Sequence, residues 1–398
     1  MTDQGVSSIL INMINVEVFL AWISADEAMR RLGIRPQTLY AYVSRGRLEA
    51  RPDPVDPRRS LYSAEEVYRL ASRRTGPRRA ADIASHSIAW GEPILASALT
   101  TVARGRLYYR GRDAIRLADH ATLEDAAALF WDAPYAPPAR TDALPTGALK
   151  ARLFAALALR AGVDPHARGR STAALATDAA SLLEALANAA AERVSADPIH
   201  QRLATAWSLD ARGADLVRRA LVLLLDHELN ASTFSARVAA STGASLAACA
   251  LAGLSTLSGP LHGASVHGVL KFIREGERLG AHAAVRARLD EGRPLPGFGH
   301  PLYPEGDPRA AALLAALDPS APIVALCASV ASENGDHPNV DFAIAALACA
   351  HGLPDDAAFA VFAIGRAIGW LGHAMEQIAT GALIRPRARY IGPTPEPA

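Results

Sequence analysis

The sequence has little cysteine and little lysine. Cys249, Cys327 and Cys349 lie in alanine-rich apolar stretches with no pairing pattern and no metal-ligand spacing, which excludes a disulfide framework and a zinc site. Only Lys150 and Lys271 are lysines, so arginine carries almost all of the positive charge. The formal net charge is +1, which excludes polyanion binding through bulk charge. We expect free, buried thiols in a reducing compartment.

The apolar run near the N-terminus is short and interrupted. Residues 9–22 are apolar but are interrupted by Asn12, Asn15 and Glu17, and a membrane span needs about 20 predominantly apolar residues. A basic start and a cleavage site are missing, which excludes a signal peptide. The expectation is a cytoplasmic protein with no membrane contact. Residues 1–21 are predicted to be a disordered leader, or the product of a wrongly assigned translation start.

The chain is long and half apolar, which is enough for two or three domains with a large core. Apolar residues recur at helical spacing in four long segments, whereas strand-like alternation is scarce. The predicted fold class is therefore mainly α. The helical segments are residues 117–131, 149–161, 171–191 and 203–225.

Residues 22–74 have the pattern of a small separate domain. Ser24, followed by two acidic residues in the next three positions, is predicted to cap the start of one helix, and Gly33 is predicted to end it. A second helix opens with the Arg-Pro pair at 35–36 and ends at Gly46, and the stretch after it is typical of a hairpin wing followed by another helix. Two short helices joined by a glycine-containing turn form the helix-turn-helix pattern. The segment resembles the winged helix-turn-helix of MerR-like and excisionase-like proteins.

This N-terminal segment is basic. Residues 21–80 contain 13 arginines against 7 acidic residues, a net charge of +6 in a nearly neutral chain. The charge favours DNA binding, although the same module could serve only in docking or dimer contacts. Residues 75–84 are predicted to be a linker. The candidates for groove contacts are Arg35, Gln37, Thr38, Tyr40 and Arg45, and those for phosphate contacts on the wing are Arg58 and Arg59.

Residues 226–268 form a stretch that carries a histidine near each end. Its middle is nearly uncharged and rich in alanine, serine, threonine and glycine, which suits helices packed at short range. His227 lies near one end, and His262 follows a Gly-Pro turn signal near the other. A histidine beside an apolar run is often an ordinary core residue. The interpretation as a functional site therefore depends on residues further along the chain.

Further polar residues follow in and around turn-rich loops. His300 lies in a Gly/Pro-dense loop, and Asp341 comes just after a turn. Arginines bind carboxylates with two prongs, an aspartate can act as a base, and histidines can stabilise negative charge that develops on oxygen. The set indicates proton abstraction next to a carbonyl, and it implies no metal or other cofactor. The alternatives are a helix cap for Asp341 and surface salt bridges for the arginines, which are Arg309, Arg366, Arg385 and Arg387.

Six motifs occur in the order and with the spacing of the citrate synthases. The resemblance covers about residues 85–398, with weaker similarity from residue 107. It implies a citrate synthase-like fold with a large helical subdomain at about 85–268 and 367–398 and a small one at about 269–366. The motifs are DHELNASTFSARV (226–238), SGPLHG (258–263), GFGH with DPRA (297–310), HPNVDF (337–342), GRAIGW with H..EQ (365–377) and RPRARYIG (385–392).

The resemblance implies an acyltransferase of the tricarboxylic acid cycle that condenses acetyl-CoA with oxaloacetate and water to give citrate and CoA. His262 would hydrogen-bond the carbonyl oxygen of the acetyl thioester while Asp341 removes the methyl proton. His300 would polarise the ketone of oxaloacetate and protonate the new alkoxide. A thioester methyl is a very weak acid, so the aspartate needs simultaneous stabilisation of the enolate oxygen.

The resemblance also implies residues that hold the substrate. His227, Arg309 and Arg366 would bind the carboxylates and the hydroxyl group of the oxaloacetate unit. Arg385 would reach the active site of the other subunit, which makes the enzyme an obligate homodimer.

Several residues on the CoA side depart from the family pattern. Pro304 and Glu305 stand where a basic residue commonly meets the CoA phosphates, and Gly-Ala-Ser-Val at 263–266 replaces the usual Gly-Gly-Ala-Asn. The acyl group is therefore open, and a 2-methylcitrate synthase that uses propionyl-CoA is the near alternative. The other alternative is a metabolite-sensing regulator that binds DNA through its N-terminal module.

Overall fold

A computed structural model of the chain describes residues 22–44, 48–53, 56, 59–63, 66–67, 95–138, 142–388 and 392–393. The chain divides into two compact units, Ser97–Arg387 and the remainder. The predicted leader at 1–21, the linker at 75–84 and the domain boundary at 85 lie outside the described residues. The division of the larger unit into two subdomains stays a prediction.

The N-terminal unit combines a small antiparallel sheet with two short helices. Strand β3 lies between β1 and β2 and pairs with both. Its residue Tyr62 is opposite Ile23 on one side and Ala50 on the other. The elements are β1 (Trp22–Ser24), α1 (Ala25–Leu32), α2 (Pro36–Ser44), β2 (Ala50–Pro52) and β3 (Ser60–Ser63).

Capping residues fix the first helix of this unit where the sequence predicts it. The side chain of Ser24 accepts a hydrogen bond from the backbone N–H of Glu27, and Gly33 ends α1 in the left-handed conformation at φ 58°. The two helices and the strand pair thus lie in the predicted order, and assignment to the winged helix-turn-helix class stays a prediction. A small apolar core holds the unit together and consists of Ala28, Leu32, Leu39, Leu48, Tyr62 and Val67.

The larger unit is mainly helical, with one three-stranded antiparallel sheet at its start. That sheet runs in the order β4 (Thr100–Ala103), β5 (Arg106–Tyr109) and β6 (Arg112–Asp113). The helices are α3 (Ala114–Ala118), α4 (Leu123–Trp131), α5 (Leu149–Ala161), α6 (Thr172–Ala191), α7 (Ile199–Ala206), α8 (Ala211–Leu223), α9 (Ala231–Ser241), α10 (Leu246–Leu257), α11 (Val266–Leu279), α12 (Ala281–Asp290), α13 (Pro308–Leu317), α14 (Ala321–Asn334), α15 (Val340–Ala350) and α16 (Ala357–Thr380).

Two of the four predicted helical segments lie as expected, and two were wrong in their bounds. Helices α5 and α6 match the segments at 149–161 and 171–191. The segment at 117–131 begins in the last two residues of α3, and a new helix, α4, starts after Thr122, whose side chain forms a reciprocal capping box with Asp125. The segment at 203–225 is two helices, because Asp210 caps α8 by accepting a hydrogen bond from Gly213 at 2.8 Å.

Helix α16 is the centre of the larger unit. It packs against α6, α8, α9 and α10, and nearly every residue along it is buried. By length and composition alone this helix could cross a membrane, but its apolar stretch is fully buried inside the protein. Glycine lets α10 pack closely against α16, because a Cβ on Gly253 of α10 would lie only 2.6 Å from the ring of Trp370 on α16.

Candidate active site

His227 lies in the loop between α8 and α9. Asn230 ends this loop and caps α9, because its side-chain oxygen accepts the backbone N–H groups of Ser232 and Thr233, each at 3.1 Å. The His227 ring is buried, and its Nε2 lies 2.9 Å from the hydroxyl of Tyr303. The cap thus fixes the loop that carries this histidine.

His262 lies between α10 and a short 3₁₀ turn, Gly263–Ser265. Its Nε2 lies 2.9 Å from the hydroxyl of Ser232, which also accepts a hydrogen bond from the Trp370 indole at 3.0 Å and lies 2.7 Å from the Asn230 side-chain oxygen. The hydroxyl hydrogen can point to His262 or to Asn230. If it points to His262, Nε2 accepts it, so the neutral ring carries its own proton on Nδ1. That Nδ1–H can then donate to a ligand.

The loop that carries His300 is tied to the start of α15. The backbone N–H of Gly299 donates to the His337 carbonyl, and the N–H of Asn339 donates to the Gly297 carbonyl, both at 2.9 Å. Gly297 has φ 85°, and a Cβ there would lie 3.0 Å from the side chains of Phe342 and Val269. Glycine is therefore required at 297 both by its conformation and by the space.

The ring of His300 is oriented by its own loop. Its Nδ1 accepts a hydrogen bond from the backbone N–H of Leu302 at 3.1 Å, so the neutral ring carries its proton on Nε2. The ring centre lies 5.1 Å from that of His227 and 5.0 Å from that of Tyr303. Two predicted site histidines and one tyrosine thus form a single cluster.

Asp341 is the second residue of α15. Its backbone N–H is held by the side-chain oxygen of Asn339 at 3.0 Å, and its Oδ2 accepts a hydrogen bond from the hydroxyl of Ser265 at 2.6 Å. Burial raises the pKa of the Asp341 carboxyl above its usual value, although the Ser265 hydrogen bond acts in the opposite direction. A carboxylate in this state is a stronger base than an exposed one.

Two buried arginines lie in the same site. Arg309 makes two hydrogen bonds to Asp307, at 3.0 and 2.8 Å, and Arg366 donates to the Leu224 carbonyl at 2.8 Å. Burial lowers the pKa of Arg366 to about 10. Burial acts the same way on Arg309, but the Asp307 carboxylate more than offsets it and raises the pKa. Both side chains are positively charged at neutral pH.

The three histidines are neutral at pH 7. Burial, followed by the charge of Arg366, lowers the pKa of His262 to about 4. Burial, followed by the charge of Arg309, lowers the pKa of His300 to about 4. The same causes lower the pKa of His227 well below its usual value. Neutral imidazoles donate hydrogen bonds to oxygen without placing a full charge next to the arginines.

The arrangement combines a base, neutral donors and carboxylate ligands. Asp341 can accept a proton, His262 and His300 can donate to two oxygens, and Arg309 and Arg366 can bind carboxylates. Within the described ranges, no group of three histidine, cysteine or acidic side chains could hold a metal ion.

The remaining predicted site residues lie elsewhere. Arg385 is exposed in the segment after α16, as is Arg387, and in the part of the chain that the structure describes no hydrogen bond joins either to the site. In the N-terminal unit, Arg35, Gln37 and Tyr40 are exposed, Thr38 is half-buried, and Arg59 is exposed beside Asp56 at 3.4 Å. Arg45 and Arg58 lie outside the described residues.

The structure adds supporting residues that the sequence analysis did not single out. Ser232 and Trp370 hold His262, Tyr303 contacts His227, Ser265 contacts Asp341, and Asp307 holds Arg309. All of them lie within or beside the motif stretches, which is the one signal in the sequence that could have marked them.

Comparison with known proteins gives one family. Residues 140–387 match the family described as the C-terminal domain of citrate synthase. The putative citrate synthase 2 of Mycobacterium tuberculosis is 34% identical over 328 residues, which is 73% of this chain and 88% of that protein. Citrate synthase 2 of Bacillus subtilis is 40% identical over 189 residues, 44% of this chain and 50% of that protein. The 2-methylcitrate synthase of Shewanella oneidensis is 33% identical over 186 residues, also 44% and 50%.

Solved structures show the same fold. The citrate synthase of Thermotoga maritima superposes with a TM-score of 0.62 and 25% identity, over 77% of this chain and 96% of that one. The citrate synthase of Thermoplasma acidophilum, in ternary complex with carboxymethyl coenzyme A and oxaloacetate, gives a TM-score of 0.64 and 24% identity over the same shares.

Proposed function

Because the chain belongs to the citrate synthase family, we propose that it condenses acetyl-CoA with oxaloacetate and water to give citrate and CoA. The observation that carries the proposal is the single site in which the half-buried carboxyl of Asp341 shares its surroundings with neutral histidines and two buried arginines. This set suits enolisation of an acyl thioester beside a dicarboxylate. The Thermoplasma relative holds a CoA analogue and oxaloacetate together, which supports the same pair of substrates.

Enolisation comes first in the proposed reaction. The Asp341 carboxylate takes a proton from the acetyl methyl group, and the electron pair of that C–H bond moves toward the thioester oxygen. His262 donates a hydrogen bond to that oxygen, through the ring nitrogen that Ser232 does not occupy. Because the pKa of Asp341 is raised, it lies closer to the pKa of the acetyl methyl group, which makes the proton transfer less unfavourable.

Carbon–carbon bond formation follows. The enol carbon attacks the ketone carbon of oxaloacetate, whose oxygen lies against the Nε2–H of His300. Arg309 and Arg366 hold the two carboxylates. His300 gives its Nε2 proton to the new alkoxide and regains a proton from solvent, while Asp341 returns the methyl proton to solvent. Water then hydrolyses the thioester and releases CoA.

The acyl chain is tested by thiol release. Purified protein with oxaloacetate is given acetyl-CoA or propionyl-CoA, and free CoA is measured. We expect faster release with acetyl-CoA, whereas faster release with propionyl-CoA would make the protein a 2-methylcitrate synthase, as in the Shewanella relative.

The proposed base has a matched control. Asp341→Asn keeps the shape of the side chain but removes the base, so CoA release should fall at least about 1000-fold. Asp355→Asn removes an exposed carboxylate that pairs with Arg274 on the surface and should leave turnover unchanged. Equal activity in wild type and Asp341→Asn would refute the enolisation proposal.

We also propose a homodimer in the cytoplasm, with Arg385 completing the site of the partner subunit. Its exposed position after α16 supports this role, and the free thiols of the chain agree with a reducing compartment. If Asp341→Ala and Arg385→Ala are each inactive, mixing them should restore about a quarter of the wild-type sites by subunit exchange. A mixture as inactive as its components would contradict the shared site.

DNA binding by the N-terminal unit is a second proposal. It is favoured by the exposure of Tyr40, at 65%, together with exposed Gln37 on the same helix and exposed Arg35 just before it. These side chains present an aromatic ring, an amide and a guanidinium, which suit contacts with base edges and phosphates.

Salt-dependent binding to DNA tests this second proposal. Arg35→Ala should weaken DNA binding. It should also reduce the slope of the logarithm of the binding constant against the logarithm of the salt concentration by about one. Arg30→Ala is the control, because Arg30 is exposed on α1 but pairs with Glu27. Binding to no sequence above a random-DNA control would refute the regulator.

A further inference from the structure

Ser265 contacts the carboxylate of Asp341 and the backbone of His262, the two residues that would carry out the enolisation. Its backbone N–H donates to the carbonyl of His262 at 2.8 Å, and its side-chain hydroxyl donates to Oδ2 of Asp341 at 2.6 Å. The residue is the last of the 3₁₀ turn Gly263–Ser265. A single residue thus links the turn that carries His262 to the carboxylate of Asp341.

The direction of the hydrogen bond follows from the chemistry. An ionised carboxylate only accepts, so the hydroxyl of Ser265 must donate, and 2.6 Å is typical of a hydroxyl bound to a charged oxygen. Across the described residues, no donor contacts the other oxygen of Asp341, Oδ1. Ser265 therefore occupies one oxygen and leaves Oδ1 as the one that can take up a proton.

The rest of Asp341 is held through its backbone. Its N–H is bound by Asn339, and the N–H of Val340 donates to Asp307 at 3.1 Å. These bonds fix the start of α15 but not the rotation of the carboxylate. Within the described part of the chain, Ser265 alone hydrogen-bonds the carboxylate and so fixes that rotation.

We propose that Ser265 is a positioning residue for the condensation, which aims Oδ1 of Asp341 at the acyl methyl group and keeps it in register with His262. The proposal rests on the function proposed above.

The hydroxyl also sets the acidity of the base. The charged groups that face Asp341 are Arg309 and Asp307 at the start of α13 and Arg366 on α16. Burial raises the pKa of Asp341, and the Ser265 bond is the largest influence that lowers it. Removal of the hydroxyl should therefore raise that pKa further.

Two variants at this position separate the hydroxyl from its surroundings. Ser265→Ala removes the donor, and Ser265→Thr keeps it. In Ser265→Ala we expect the acid limb of the kcat/KM profile to move up by about one pH unit and kcat on the plateau to fall about tenfold. KM for oxaloacetate should stay within about twofold, and Ser265→Thr should restore both quantities.

Ser255→Ala is the matched control. Ser255 is exposed on α10, and its hydroxyl donates only to the backbone carbonyl of Leu251 at 2.8 Å, so its loss should change neither the limb nor kcat. The titration of Asp341 is also followed without turnover, from infrared difference spectra against Asp341→Asn. It should move upward in Ser265→Ala.

The outcomes distinguish the two proposals. If the wild type is active but Ser265→Ala has the same acid limb, the same kcat and the same infrared titration of Asp341 as the wild type, the role of Ser265 is refuted. The synthase proposal is then unaffected. If the wild type releases no CoA with either thioester, the synthase is refuted and the positioning role falls with it. If Ser265→Thr behaves like Ser265→Ala despite its hydroxyl, the orientation argument is refuted.

Discussion

Gly253→Ala should damage the active site from a distance. Gly253 lies on α10 against the indole of Trp370 on α16, which is fully buried. The indole N–H donates to Ser232, and the same hydroxyl lies against His262. A methyl group on residue 253 therefore pushes directly on the support of a proposed catalytic histidine.

The magnitude follows from the contact distances. The added methyl would lie 2.6–2.8 Å from three atoms of the Trp370 ring, whereas non-bonded carbons rest at about 3.5–4.0 Å. Relief of this overlap requires a shift of about 1 Å and costs about 1–3 kcal/mol. If the indole loses its partner Ser232, about 1–3 kcal/mol is added, and the better helix propensity of alanine returns about 1 kcal/mol. The net loss in the free energy of unfolding is about 3 kcal/mol.

Urea denaturation and CoA release measure the two effects. The denaturation midpoint should fall with an unchanged slope, and kcat should fall about tenfold as His262 shifts. Gly268→Ala on α11 is the control, because its added methyl meets no atom closer than 3.8 Å, and it should stabilise the protein by about 0.5–1 kcal/mol. Equal stability and turnover of Gly253→Ala and wild type would refute the argument.

Three further predictions concern acid, substrate binding and the N-terminal unit. Because burial holds the pKa of His262 and His300 at about 4 against 6.5 when unfolded, the unfolded chain takes up protons between pH 6.5 and 4 that the folded chain does not. As the pH falls through that window, the free energy of unfolding should decrease by at most about 3 kcal/mol per ring, and by less than this because both rings are partly exposed. Urea denaturation midpoints measured at pH 7 and at pH 4.5 check this prediction, and equal midpoints would contradict it. Arg309→Lys loses the two-pronged geometry, so KM for oxaloacetate should rise about 100-fold with a smaller change in kcat; an unchanged KM would exclude Arg309 as a substrate ligand. Ser24→Ala removes the cap of α1 and should speed amide exchange in that helix about fivefold, whereas Ser24→Thr should not.

The structure brings together the histidines and the aspartate that the sequence indicated, whereas the sequence did not indicate the residues that support them. His262, His300 and Asp341 lie in turn-rich motifs at the ends of helices, where residue type and local spacing already indicate chemistry. Ser232 and Trp370 meet across 138 positions of the chain. No local pattern contains such a contact, because it exists only once α9 and α16 have packed together.

The fold was predictable in its helical class but not in all its helix ends. Apolar spacing marks a buried face. The apolar spacing continues across the break before α4 and across the break before α8, so it predicted one helix at each place where the structure has two. In both places a capping side chain, Thr122 or Asp210, competes for the backbone N–H groups and starts a new helix. Spacing records burial, whereas helix ends depend on these local hydrogen bonds.

The place of α16 in the chain has a consequence for how the protein is made. Helices α6, α8, α9 and α10 pack on α16, yet about 100 residues separate the end of α10 from its start. At about 5–20 residues per second, a ribosome leaves α10 without its partner for about 5–20 s and the earlier helices for longer. During that time their apolar faces are open to water and to other nascent chains. Synthesis in cells should therefore depend on chaperones that shelter the emerging chain, and truncation before residue 357 should yield insoluble protein.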